Sequence, residues 1–165
     1  MRLATFSGFA FTAMFDLAEE LPRLLPKAIA WAESVESQAL HGGCPLDEES
    51  IRLARAVGVQ HPDRIRVVYI RELPFPADAE LAFAANETGL LGPDTAGLTL
   101  GYAVFVRKGF VSPRLISHEF RHVQQFEAAG SIAAALPIYL EQVLTHGYEN
   151  APWEIDARAH ERDSI

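Results

Sequence analysis

The sequence predicts an α+β fold, a helix-rich single domain with a small β-sheet. Three observations carry that prediction. Apolar residues recur at helical spacing through the first third of the chain, strict alternation with β-branched residues takes over near residue 65, and helical spacing returns after Ser112-Pro113. A length of 165 residues suits one hydrophobic core, so the chain is read as a single domain, 1–165, with a helical N-terminal portion over 1–60. With 49% hydrophobic and 22% charged residues, the composition is that of a globular chain rather than a disordered or fibrous one.

The opening apolar run, residues 1–15, is too short to span a bilayer and weak as a secretory core. It reads as a helix or strand packed on the core, with a cleavable signal or a membrane-surface helix as alternatives. Cytoplasmic and secreted locations both stay open. Phe15, Leu17, Ala18, Leu21, Leu24 and Leu25 continue at helical spacing, and Pro22 and Pro26 predict a helix that breaks or restarts there. "KAIAWAESVESQALHGG" follows as an amphipathic helix with Ile29, Ala32, Val35 and Leu40 near one face and Gly42 as its stop. In "PLDEESIRLARAVGV", Asp47 caps a helix, Glu48 and Glu49 suit the positive end of its dipole, and Gly58 ends it.

Residues 65–70 then read as a strand, stopped by Pro74 and Pro76. "ADAELAFAANETG" is a short helix, and turns follow at Gly89, Gly92, Pro93 and Gly97. A second strand is expected over residues 98–106, with Gly101 inside it marking a bulge or a close backbone approach. Ser112 can cap, and Pro113 at the first helical position gives up an amide that would be unpaired anyway, so "SPRLISHEFRHVQQFEAAG" opens a helix. Leu115, Ile116, Phe120, Val123 and Phe126 form its buried side and Gly130 ends it. "SIAAALPIYLEQVLTHG" gives another helix, kinked near Pro137, and a last one holds Trp153 to Glu161, with Asn150 as cap and Pro152 in its first turn.

Composition excludes some chemistry. A net charge of −8 without a dense Lys/Arg run argues against a nucleic-acid surface, because such surfaces neutralise many phosphates. Cys44 is the lone cysteine, so no intrachain disulfide or thiolate cluster can form. Any metal must be held by nitrogen and oxygen.

Such donors occur in His118-Glu119-Phe120-Arg121-His122. Residues four apart share a helix face with Cβ atoms about 5–6 Å apart, so His118 and His122 can offer imidazole nitrogens to one ion. Glu119, rotated about 100° from His118, can take a proton from water activated there. A chance HExxH in a chain of this composition has an expected count of roughly 0.02, which makes two solvated helix histidines a poor account. A catalytic zinc takes three protein ligands and keeps one position for water. Glu154 is the third-ligand candidate, since its helix must return against the preceding elements and Trp153, Ile155 and Ala157 supply apolar contacts; Glu149 is the second choice.

"HEFRH" with downstream "ENAPWEIDARA" resembles the zincin metallopeptidases, specifically their gluzincin branch, in which a glutamate on a later helix is the third ligand. The likeness widens in "GLTLGYAVFVRKGFVSPRLISHEFRHVQQFE", which is similar to small bacterial peptidase domains with a T-x-G strand before an HExxHxxQQ helix. It spans about residues 65–162 and implies that residues 61–165 form a zincin-like core around Zn2+. By that resemblance His118, His122 and Glu154 are metal ligands and Glu119 the general base of peptide-bond hydrolysis, acting on a peptide or protein substrate. Relatives often place an Asp four residues after the ligand Glu to orient a histidine; here Arg158 stands there, so Asp156 or a backbone carbonyl is expected instead. The resemblance also implies that residues 102–107 edge the cleft and pair with substrate, with an ordinary core strand as the alternative. It further calls for an oxyanion donor, for which Tyr148 and His146 are candidates against a packing Tyr and a surface His. Gln124 and Gln125 match the pattern without an assigned role. The alternative reading is a non-catalytic zincin-like binding domain, or a latent enzyme whose cleft is covered by residues 1–25. A closed structural metal site is weaker, since such sites usually have four ligands, often thiolates.

Overall fold

The computed structural model describes residues 16–164. The reading of residues 1–15 as a packed helix or strand lies outside them. Helix α1 (Leu17–Gly42) begins where the Asp16 side chain accepts the Ala18 amide at 2.9 Å. The break expected at Pro22 and Pro26 is corrected: the helix runs through both. The two prolines lie four apart on an exposed face, where carbonyls left without an amide donor can turn to water.

A two-residue strand β1 (Cys44–Pro45), not anticipated, precedes α2 (Glu48–Ala56), whose Asp47 cap accepts the Ser50 amide at 2.8 Å. Strand β2 (Arg66–Ile70) and helix α3 (Ala79–Glu87) fall where expected. The single strand expected over residues 98–106 is instead a hairpin, β3 (Gly97–Leu100) and β4 (Ala103–Arg107). Its turn places Gly101 at φ +60°, a conformation suited to the first position of a tight hairpin. A Cβ there would stand 2.0 Å from Glu36 Oε1, which accepts the Tyr102 amide at 2.8 Å. The close approach was legible in the sequence; the reversal was not.

The sheet order is β1-β2-β4-β3, with β2 and β4 parallel and the other pairs antiparallel. Alternation along β4 builds two cores. Val104 and Val106 pack with Ile116, Phe120 and Val123 of helix α4 (Pro113–Ala129) and with Leu53 and Val57 near α2. Ala103 and Phe105 face Ala39 of α1 on the other side. A third cluster joins Ala32 of α1, Leu100 and Phe126 to Ile132 and Leu136 of α5 (Ile132–His146). The N-terminal helix is therefore integral to the packing of the domain, and the observed class is α+β. Among the described residues no single helix is long and apolar enough to cross a membrane.

Candidate metal centre

Helix α4 starts as its sequence dictates, with Ser112 Oγ accepting the Leu115 amide at 3.2 Å and Pro113 in the first turn, and ends at Gly130 with φ +94°. It is buried on two sides. One stripe, Ile116, Phe120 and Val123, enters the core; Glu119, His122 and Gln125 are buried as well. Helix α6 (Pro152–Ala159) closes on it. The expected Asn150 cap is corrected: Asn150 sits exposed in a 3₁₀ turn, and among the described residues no side chain caps α6. The Trp153 amide in the first turn is taken by Gln142 Oε1 of α5 at 2.9 Å instead. Arg121 then clamps α6 by paired bonds to Asp156, 2.7 Å from Nε and 3.1 Å from Nη2. Of the contacts expected around Glu154, Ala157 is buried and Trp153 half-buried, but the expected contact of Ile155 is corrected, since that residue is exposed.

This packing brings His118, His122 and Glu154 together, with ligand atoms all within 4.8 Å of one another. The two Nε2 atoms lie 3.1 Å apart, and Glu154 oxygens stand 3.3 Å from His118 Nε2 and 3.2 Å from His122 Nε2. Donors about 2.05 Å from a tetrahedral ion are separated by roughly 3.3 Å, so these spacings fit a zinc-sized ion. Proton inventory points the same way. His118 Nδ1 is 3.0 Å from Glu161 Oε1, and His122 Nδ1 is 2.7 Å from Gln125 Oε1, so both Nδ1 atoms are the natural N–H donors. The Gln125 amide is oriented by its own donation to Asp156 Oδ2 at 2.8 Å and the Trp153 carbonyl at 3.0 Å. Both Nε2 lone pairs therefore face one another and a carboxylate that is 1% exposed. Three acceptors so placed need a cation or a proton between them.

Without an ion the proton takes that place. Burial works against a charged His122, but the adjoining Glu154 outweighs it and holds the imidazole pKa up at about 9. Burial likewise opposes the Glu154 charge, and hydrogen bonds from His118 and His122 overcome it, keeping this carboxyl far below its usual range. The partner expected in place of Arg158 is thus corrected. Glu161 serves His118, while Asp156 reaches His122 only through Gln125. Arg158 is exposed and donates to the Glu149 carbonyl, and Glu149, the second-choice ligand, is exposed as well.

Glu119 is 5% exposed and lies in a cradle formed by β3. Thr99 Oγ1 donates to its Oε2 at 2.7 Å and lies 3.1 Å from its backbone carbonyl. On the other oxygen, a Cβ at Gly97 would approach Oε1 to 2.3 Å, so position 97 has room for glycine alone. Tyr148 borders the same cavity as Glu119, His122 and Glu154. Burial, and then the charges of Glu154 and Glu119, push its phenol pKa up, which keeps it a donor. His146 is exposed at the end of α5 and does not border that cavity.

Sequence reasoning missed Tyr139, whose hydroxyl donates to Glu154 Oε1 at 2.7 Å, and Glu161. A tyrosine on the buried side of a helix needs a partner for its hydroxyl, which is a signal; its partner is not nameable from sequence. Residues 102–107 are not a cleft edge: β4 is paired on both sides, and the edge nearest Glu119 is β3. Comparison of the chain with protein-family models, characterised proteins and solved structures gives no match.

Proposed function

We propose that the protein is a zincin-like, zinc-dependent metallopeptidase that hydrolyses peptide bonds. One observation carries the reading: two imidazole Nε2 atoms and a buried carboxylate converge at the spacing of a tetrahedral ion, beside a second buried carboxylate, Glu119. His118, His122 and Glu154 would hold the ion. Three protein donors leave one position over, the pattern of catalytic rather than structural zinc. A zinc ion, when bound, acidifies water and polarises a carbonyl oxygen.

The chain's own residues supply the remaining chemistry. Glu119, with Oε2 engaged by Thr99, receives the proton of the attacking water and passes it to the leaving amine nitrogen. Tyr148 donates its O–H to the carbonyl oxygen as charge gathers there. Strand β3, which among the described residues is paired only with β4, offers its other edge to an extended substrate. Gln125 and Glu161 orient the two imidazoles, and Tyr139 holds the Glu154 carboxylate.

The decisive variant is Glu119→Gln, which keeps both imidazoles and Glu154. Metal analysis should give one zinc per chain as in the wild type, with peptide hydrolysis down about 100-fold to 10,000-fold, the usual worth of a general base. Unchanged hydrolysis would remove Glu119 from the mechanism, and absence of zinc from the wild type would remove the reading itself. A binding domain on the same scaffold is the second reading, and retention of zinc without hydrolysis of any peptide would favour it.

A further inference from the structure

The candidate site opens into a chamber whose walls are chemically one-sided. Its polar groups, Glu119, His122, Glu154, Tyr139, Tyr148 and Thr99, lie at one end. Away from them the walls are aliphatic and aromatic, drawn from α1, α3 and α5, with Thr88 the one further polar side chain among the described residues. The lining runs along α1 from Leu17 to Ala32, about 22 Å at the rise of an α-helix. Its cavity volume of about 160 Å³ has room for about five water molecules. A void of that size lined by Leu, Ala and Trp is costly to leave wet and exceeds what one small side chain fills.

All four residues of β3 border the chamber, and β3 is a sheet edge. Backbone amides and carbonyls of that edge are the polar partners an extended peptide requires, spaced along roughly 13 Å. An alkyl chain would leave them unpaired. The geometry points to a substrate class: an extended peptide segment of about four residues with bulky apolar side chains, its backbone along β3 and its side chains in the α1/α3/α5 chamber. This rests on the peptidase reading and adds the selectivity. Such segments are exposed in unfolded chains rather than on folded surfaces, so the substrate is assigned to unfolded polypeptide.

Trp31 and Trp153, the two tryptophans of the chain, both line the chamber, so intrinsic fluorescence reports its occupancy without any turnover. The full chain is titrated with two blocked peptides, acetyl-Gly-Phe-Leu-Phe-Gly-amide and acetyl-Gly-Ser-Asn-Ser-Gly-amide, and with dodecanamide. The apolar peptide should shift the emission with an affinity at least about tenfold above the polar one, the value of burying one large apolar side chain. Two variants change the walls without touching the proposed machinery: Ala84→Phe fills the chamber from α3, and Leu21→Gln makes α1 polar. Each should lose at least about tenfold in apolar-peptide affinity while zinc content is unchanged, and circular dichroism identifies a variant that has not folded. Equal affinity for the two peptides, or binding of dodecanamide in preference to both, overturns the proposal. Hydrolysis indifferent to side chains would overturn it and leave the peptidase reading standing; selective binding without hydrolysis would do the reverse.

Discussion

At the residue scale, the centre is decided by where single protons and single methyl groups can go. Gly97 is the clearest case, since its missing side chain is the space in which Glu119 Oε1 sits. On the proposed peptidase reading, Gly97→Ala should lower kcat by about 100-fold, the effect of displacing a catalytic group by roughly an ångström, while zinc content stays the same. Steady-state kinetics beside metal analysis checks this, and an unaltered kcat would show that the cradle does not position the base. His122 supplies a second prediction. With its pKa raised from 6.5 to about 9, the ring is charged at pH 7 in the ion-free protein. Its pairing with Glu154 therefore stabilises the ion-free fold fully below pH 6.5, and that contribution is lost as pH rises through about 9. A metal needs the same lone pair, so zinc uptake at pH 7 should release about one proton, and zinc affinity should climb with pH until it levels near 9. An indicator dye in weak buffer reads the release; uptake without it would place the proton elsewhere.

At the scale of elements, α4 and α6 are joined by a polar seam beside the edge-on contact of Phe126 with Trp153. Arg121, Asp156 and Gln125 link the helices, and the same Gln125 orients His122, so packing and ligand geometry share hydrogen bonds. Burial raises the Asp156 pKa, but Arg121 and then Gln125 outweigh it and hold it low. Gln125→Leu should weaken zinc binding by about 10-fold to 100-fold, as loss of a partner to a ligand histidine usually does, and Glu161→Ala should do the same through His118. Competition with a chelator measures both. No loss in either variant would mean that the helices alone fix the rings. Much of this level was readable: Ser112, Pro113 and Gly130 announce α4, and Asp47 announces α2, because caps and turns are local chemistry. The β3–β4 reversal was not. In "LTLGYAVFVR" the pair Gly101-Tyr102 suits a two-residue hairpin but reads equally as a bulge inside one strand, and the bond that Glu36 accepts from the Tyr102 amide comes from some 65 positions earlier.

At the scale of the whole molecule, the domain puts its candidate centre between layers. Helix α4 supplies Glu119 and the histidines, β3 cradles Glu119, α6 supplies Glu154, and α1, α3 and α5 wall the chamber beside them. A cation that binds this assembled site and not the unfolded chain must stabilise the fold. Zinc at about 100 times its dissociation constant should add about 2.7 kcal/mol, raising the melting temperature by about 5–10 °C for a chain of this length. Calorimetry with and without zinc tests it. His122→Ala should abolish the shift, and a shift that survives in that variant would place the ion at another site.

The sequence by itself determined the helix that carries His118, Glu119 and His122, because a four-residue spacing on a well-capped helix sets their common face without help from the rest of the chain. It also singled out Glu154, which belongs to a helix whose start was legible from Pro152. Only the tertiary structure decided that Glu154 reaches the pair and Glu149 does not, that Glu161 and Gln125 rather than a residue at 158 hold the imidazoles, and that β3 rather than β4 borders the site. Local periodicity fixes a side chain's face on its own element, whereas its partner depends on how elements distant in sequence pack, and that is set by the shared core.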